Sequence, residues 1–237
     1  MIRLRRFSVL AILTFFAATA FAQDEEGFSG RAGLGYLSTT GNTETESLNV
    51  NFEMGWNYAP WHHRFAGLAV QSSTSGVSTA EAYALNWKTD YDINEVSYWY
   101  GIAAWNKDEF SPYEQQSRVA GGYGRHFIQR ERHALSGEIG VGYRQSDLRD
   151  GTSTSKSITR LSGDYVWTIS ETSRFAQTLA IESGSDNTYT EAVSSLGVDI
   201  NDDLALVVSY TLRNNSDVLP GTEKTDTFTA ITIEYSY

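Results

Sequence analysis

Four histidines are the side chains best suited to acid–base chemistry near neutral pH: His62, His63, His126 and His133. Ser136 follows His133 by three residues, and in a strand this spacing puts the two side chains on opposite faces. The chain contains no His-x-Ser pair of the kind used by outer-membrane phospholipases. The spacing therefore favours histidines in turns or at an interface, and it predicts that the protein is not an enzyme.

Metal chemistry has little support in the residue pattern. His62 and His63 are adjacent, so in a strand their side chains point apart. The chain has no cysteine, which excludes disulfides, thiol nucleophiles and cysteine-based metal sites. Residues 199–203 resemble part of a calcium loop but lack the glycine and the terminal glutamate of an EF-hand. We expect a solvated hairpin turn there, with no metal and no cofactor.

Eleven charged residues fall on the polar side of segments in which apolar and polar residues alternate. Five are basic and six are acidic, so this face indicates no strong ion preference. Two interpretations are open: the charges pair to hold the shape of the fold, or they line a narrow passage for ions or small polar solutes. The candidate lining residues are Glu53, Lys88, Asp90, Arg118, Glu138, Arg144, Arg160, Asp164, Glu182, Arg213 and Glu234.

The alternation itself predicts the elements that carry these charges. In residues 45–57, Leu48 and Val50 fall on one side and Asn49 and Asn51 on the other. Because side chains alternate across a strand, such a ribbon has one apolar and one polar face. No segment after residue 22 approaches the roughly 20 apolar residues of a transmembrane helix. The pattern predicts an all-β fold, a transmembrane antiparallel up-and-down β-barrel.

We expect about twelve strands, with ten as the alternative number. A soluble β-sandwich is the competing architecture for a chain of this composition. The predicted strands are 28–37, 45–57, 64–71, 80–91, 96–106, 115–127, 133–145, 155–169, 174–183, 189–200, 204–212 and 231–237.

The connections alternate between tight turns and longer polar links, as in outer-membrane barrels with short periplasmic turns and longer outer loops. This pattern places both chain ends in the periplasm. The tight turns are expected at 58–63, 92–95, 128–132, 170–173 and 201–203. The longer links are expected at 38–44, 72–79, 108–114, 146–154, 184–188 and 214–222.

Aromatic residues cluster near the predicted strand ends. A ring in the acyl boundary with its polar tip among head groups is favourable, so a membrane barrel should carry two aromatic belts. The periplasmic belt is expected to hold Trp56, Trp61, Tyr91, Tyr98, Trp99, Phe127, Trp167, Phe175, Tyr235 and Tyr237. The opposite belt is expected to hold Tyr36, Trp105, Tyr113, Tyr143 and Tyr189.

The first 22 residues read as a secretory signal. Three arginines are followed by the apolar run 7–18 and by the small-x-small pattern that ends at Ala22. We expect cleavage between Ala22 and Gln23. Residues 23–237 then form one outer-membrane β-barrel domain, since no linker or shift of composition divides them.

Charge and the C-terminus indicate the partners. The signal holds three of the 18 basic residues, which leaves 15 basic against 29 acidic residues and a net charge of −14. Nucleic acid is therefore not an expected partner. An alternating apolar end with a terminal aromatic, here Ile233, Tyr235 and Tyr237, resembles the signal read by the barrel assembly machinery. We expect a monomer whose partners are that machinery and outer-membrane lipid.

Several segments resemble one family. Gly-Leu-Gly-Tyr at 33–36 and Thr-Gly-Asn-Thr-Glu-Thr-Glu-Ser at 40–47 are similar to the N-terminal signature of the salt-induced outer-membrane proteins, a domain-of-unknown-function family. The segments 80–83, 105–108 and 137–144 are similar to it too. The resemblance covers nearly the whole mature chain and implies an outer-membrane barrel of Gram-negative bacteria, a link to salt or osmotic stress, and no catalytic residues. The function expected is structural or passive permeation; a solute channel, a hydrolase and a surface adhesion module are the alternatives.

Overall fold

A computed structural model of the protein describes residues 27–39, 45–109, 113–149, 151–185, 187–217 and 224–236. Each strand pairs antiparallel with its neighbours in sequence, and β1 pairs with β12 to close the sheet into a barrel. Within these ranges, no helix is long and apolar enough to cross a membrane. The strands are β1 (Gly27–Thr39), β2 (Thr45–Tyr58), β3 (Trp61–Thr74), β4 (Val77–Asn94), β5 (Ser97–Asp108), β6 (Tyr113–Arg130), β7 (His133–Leu148), β8 (Ser153–Ser170), β9 (Ser173–Ser183), β10 (Thr188–Asp199), β11 (Leu204–Asn215) and β12 (Thr225–Ser236).

The twelve-stranded, all-β barrel confirms the architecture predicted from alternation. Leu48 and Val50 are exposed on the outer face of β2, whereas Asn49 and Asn51, which alternate with them, are half-buried on the inner face. The same arrangement recurs around the barrel, and Val141 on β7 is 70% exposed. A sandwich would bury these apolar rows between two sheets. In this closed barrel no other described residue covers them, as expected of a surface that meets hydrocarbon.

The link predicted at 72–79 is wrong. β3 continues to Thr74 and β4 begins at Val77, so only Ser75 and Gly76 connect them. Both residues have positive φ, 52° and 73°, which is the conformation of a two-residue type I′ hairpin. Beyond the apolar band both faces of a strand meet water, so a strand there needs no apolar residues. Small polar residues such as those of this hairpin are therefore compatible with a strand as well as with a loop.

At the opposite end of the barrel the turns are short. The turn between β2 and β3 consists of Ala59 and Pro60 alone, so His62 and His63, predicted to lie in it, belong to β3. The predicted signal peptide with its cleavage site at Ala22 and Gln23 lies outside the described residues. Tyr237 of the predicted assembly signal also lies outside them, while Ile233 and Tyr235 are exposed on the outer face of β12.

Aromatic side chains do line one rim of the outer surface, but two predicted belt residues face inward. Trp99 lies opposite Tyr91 in the register and packs edge-on against Tyr123, with centroids 5.8 Å apart. The neighbouring Tyr98 therefore points inside, where it is buried. Tyr189 is also on the inner face, where its hydroxyl donates to Glu191. Apolar residues on both faces of a segment such as 97–102 leave the choice of face to the neighbouring strands.

Candidate functional site

The interior of the barrel is the candidate site. The strand register places all eleven predicted residues on the face opposite the exposed apolar rows. Whether they line an open passage stays a prediction. The structure shows which side chains these residues contact, because residues far apart in the chain meet inside the barrel.

Glu138 on β7 is the centre of the first group. Its carboxylate lies 2.7 Å from Lys88 Nζ and 2.9 Å from Arg160 Nη1. The hydroxyls of Tyr98 and Ser162 donate to it at 3.1 and 3.0 Å. A buried carboxylate is tolerated only when ion pairs and hydrogen bonds replace its water. Glu138 therefore holds the side chains of four strands together from inside.

Glu182 on β9 is the centre of the second group. Its Oε1 lies 2.6 Å from Arg118 Nη1 and 4.0 Å from Arg160 Nε, and its Oε2 lies 3.7 Å from Arg144 Nη1. Arg160 contacts both Glu182 and Glu138, so the two groups form one network across β4 to β9. We call this set of charged residues, together with Lys88, the buried carboxylate network.

Aromatic rings fix the cations of this network. Lys88 Nζ lies 5.3 Å from the ring centre of Tyr98 and 5.9 Å from that of Tyr100, and Arg160 Cζ lies 5.7 Å from Tyr100. A cation over a ring face is attracted by the ring quadrupole. Lys88 also pairs with Asp90 at 2.8 Å. These contacts hold the ammonium and guanidinium groups against the wall.

Two smaller groups lie elsewhere on the inner face. Glu53 pairs with Arg31 at 2.8 Å and lies 3.8 Å from Arg64. Near them, Glu234 lies within electrostatic range of Arg31 and Glu53.

Arg213 and Glu191 form a pair at 2.6 Å between β11 and β10. Asp164 lies within electrostatic range of Lys88, Arg64 and Glu138. The predicted charged residues are thus distributed along the inner face in several groups rather than in one ring.

Sequence reasoning missed several inward-facing charges, among them Arg31, Arg64, Lys156 and Glu191. Arg64 was the first residue of the predicted strand 64–71, and that segment has a poorly marked apolar face. Arg31 is followed by glycines that give no clear apolar face either. In β10 the alternation could have identified Glu191 as inward-facing, because Glu191 lies two residues from Tyr189 and from Val193 and so shares their face. Its partner Arg213 was predicted, but nothing local joins the two strands in register.

The two central carboxylates are the most deeply buried charges of the network. The side chains of Glu138 and Glu182 are each only 1% exposed, whereas Lys88, Arg118 and Arg144 are 12–18% exposed. These two carboxylates therefore lie behind the cations that reach interior water. Outside the network, acids reach interior water as well, since Asp90 is 21% and Glu53 12% exposed.

His63 and His133 lie among the aromatic residues of the rim, whereas His62 and His126 face the interior. His63 stacks on Trp61 with ring centres 5.9 Å apart, and the His133 Nδ1 lies 2.9 Å from the Tyr165 hydroxyl. His62 Nε2 lies 2.8 Å from Asp92. The two adjacent histidines face opposite sides of β3, as the sequence predicted.

One arrangement resembles a hydrolase site in composition only. The register aligns His126, Ser136 and Asp164 side by side on β6, β7 and β8. A hydrolytic triad needs the imidazole between the serine and the acid, so that the acid orients the base. Here the strand register puts Ser136 in the middle, between His126 and Asp164.

The rim at the far end of the barrel carries an ionic clamp. Glu109, just after β5, lies 2.5 Å from Lys107 Nζ and 3.4 Å from Arg149 Nη1. Arg149 also donates to the Asp108 carbonyl at 2.7 Å. The hydrogen bond and charge of Lys107, helped by Arg149, hold the pKa of Glu109 below its usual value.

Solved structures similar to this fold include several bacterial barrels. An outer membrane channel from Pseudomonas putida F1 aligns over 94% of this chain and 98% of its own, with a TM-score of 0.56 and 9% identity. The NanC porin aligns over 89% of this chain and 99% of its own, with a TM-score of 0.53 and 10% identity. The translocator domain of the autotransporter NalP from Neisseria meningitidis aligns with a TM-score of 0.53 and 8% identity. At these identities the likeness establishes the fold.

Sequence comparison gives the family. A curated relative, the uncharacterized protein YdiY of Escherichia coli (strain K12), is 28% identical over 216 residues, covering 91% of this chain and 85% of the relative. The model of the family described as "Protein of unknown function, DUF481" matches residues 32–237. Those residues include every strand except the start of β1. The chain has the fold of outer-membrane channel barrels, and it belongs to the DUF481 family.

Proposed function

We propose that the protein is a non-enzymatic barrel that lets small polar solutes cross the outer membrane passively through a narrow, water-accessible interior. The observation that carries this is the row of part-exposed charged side chains along the inner face. It runs from Arg118 and Arg144 through Lys88 to Arg64 and Arg31. Partial exposure inside a closed barrel means that interior water reaches these groups.

The buried carboxylate network narrows the passage. The contacts of Lys88 with Glu138 and of Arg118 with Glu182 each span two intervening strands, so long side chains cover the wall between them. A barrel of this strand number has a small diameter. The permeant is therefore an ion or a small polar molecule rather than a large substrate.

The barrel neighbours support this function by fold alone. They include a porin, a channel and a translocator domain, so the architecture serves more than one role. A passive path for small solutes also fits the link to salt or osmotic stress that the family resemblance implies. The test for that link is growth of a deletion strain across a range of salt.

The test of permeation is conductance of the refolded protein in planar bilayers, with two tryptophan variants of β3. Ala66 faces inward opposite Glu53 and Asn86, whereas Ala69 faces outward opposite Val50 and Tyr83. Ala66→Trp should reduce the single-channel conductance severalfold, because the ring occupies the passage. Ala69→Trp adds the same ring on the lipid side and should leave conductance unchanged.

Heat-modifiable migration on a gel verifies that each variant is folded. A correctly inserted wild-type barrel that passes no current would reject permeation and favour the purely structural alternative. Equal conductance of the two tryptophan variants would show that the current does not pass through this interior.

A further inference from the structure

The interior contains three cations side by side in the sheet. Arg118 on β6 is the direct register partner of Arg144 on β7, and Arg144 is the direct partner of Lys156 on β8. Like charges directly opposite each other in a sheet are destabilising. We call these three residues the basic row.

One buried carboxylate serves two of these cations. Glu182 contacts Arg118 at 2.6 Å, but it lies 3.7 Å from Arg144 and is also within 4.0 Å of Arg160. Among the described residues, the Arg144 side chain makes no hydrogen bond within 3.5 Å, and it is partly exposed to the interior. Its guanidinium therefore presents donors to whatever enters.

The chemistry of the row selects one class of ligand. A guanidinium is planar and weakly hydrated, and its paired N–H groups match the two oxygens of a carboxylate or a phosphate. Three cations in adjacent strands favour an anion with more than one negative charge. Such an anion would also relieve the repulsion between the cross-strand partners.

We propose that the basic row of Arg118, Arg144 and Lys156 binds a small, multiply charged oxyanion, and that the barrel consequently prefers anions over cations. The preference rests on the proposed permeation, whereas the binding does not. It holds despite the net charge of −14 expected for the mature chain, because the two carboxylates nearest the row, Glu138 and Glu182, lie behind the cations.

The first experiment measures binding without a membrane. Citrate and inorganic phosphate are titrated calorimetrically into the refolded full barrel in a zwitterionic detergent. We expect a dissociation constant below about 1 mM for at least one probe. Binding of citrate alone identifies carboxylates as the ligand, and binding of phosphate as well identifies oxyanions in general; both support the proposal.

Variants locate the site. Arg144→Gln should weaken binding about tenfold, which corresponds to the loss of a charge-assisted hydrogen bond. Arg144→Lys keeps the charge without the planar guanidinium, so its affinity should lie between those of the wild type and Arg144→Gln. Arg31→Gln removes the same charge from the inner face of β1, where Arg31 pairs with Glu53, and should change affinity less than twofold. If Arg144→Gln does not refold, Lys156→Gln tests the row in its place.

The second experiment measures the reversal potential across a KCl gradient. The wild type should favour chloride, and Arg144→Gln should reduce that preference while Arg31→Gln has a smaller effect. Current without binding of either probe would overturn the basic-row proposal and leave permeation standing. Binding without current would overturn permeation and leave oxyanion binding at the basic row standing. Equal losses in Arg144→Gln and Arg31→Gln would also overturn it, since affinity would then follow net charge alone.

Discussion

Arg118 Nη1 and Glu182 Oε1 meet at 2.6 Å inside the barrel, although the two residues are 64 positions apart and two strands lie between β6 and β9. Arg144 and Arg160 converge on the same carboxylate. The pair is thus a link between distant parts of the wall, and it determines how the interior is filled.

Removing this carboxylate should destabilise the barrel strongly. Glu182→Gln removes the carboxylate that Arg118 and Arg144 share and leaves Arg160 with Glu138 alone, and loss of one partner of a buried pair costs about 3–5 kcal/mol. Urea unfolding of the refolded protein in vesicles measures the change. Glu46→Gln, at an exposed position on β2, is the control. A loss below about 1 kcal/mol, typical of surface ion pairs, would contradict a structural role for the network.

The lipid-facing band can be tested with two valines of equal exposure. Val141 in the middle of β7 is 70% exposed and Val77 beside the β3–β4 turn is 67% exposed. Val141→Arg should cost about 2–4 kcal/mol, because the charge enters hydrocarbon, whereas Val77→Arg should cost about 0–1 kcal/mol near the interface. Equilibrium unfolding from lipid vesicles provides the values. Equal costs would place the membrane elsewhere on the barrel.

The type I′ turn predicts a backbone effect without steric conflict. A Cβ added at Gly76 would meet nothing within 4 Å, but φ there is 73°. Gly76→Ala should therefore cost about 1 kcal/mol, the penalty of left-handed backbone for an L-residue. Gly197→Ala is the control, because its Cβ would make ordinary contacts at 3.8 Å and its φ is not positive. Urea midpoints compare the two, and a neutral Gly76→Ala would argue against this turn.

The ionic clamp at the rim predicts a pH dependence. Since the folded pKa of Glu109 is below its usual value of 4.5, the stabilisation is fully present above that value. It is lost as pH falls through the lowered folded pKa. A carboxyl NMR titration of Glu109 should give the lowered pKa, and Lys107→Gln should raise it, because Lys107 contributes most to the shift. An unchanged titration in Lys107→Gln would show that the Lys107 contact is absent in solution.

Local pattern was sufficient for the wall of the barrel. Alternation in β2 separated Leu48 and Val50 from Asn49 and Asn51, and the structure places the two pairs on opposite faces. The pattern was weaker where both faces carry similar residues. Tyr98 and Trp99 are both aromatic, so only the opposition of Trp99 to Tyr91 decided which one faces lipid.

By itself the sequence determined the β class, the twelve strands and the inward side of most charged residues, because a strand's two faces follow from a period of two residues. Tertiary structure alone decided which charges meet. Closure of the sheet brings Glu182 to Arg118 and Glu138 to Lys88, and it places those carboxylates behind the cations. No local pattern contains that information, since it depends on strand register and on the curvature that turns one polar face into an interior.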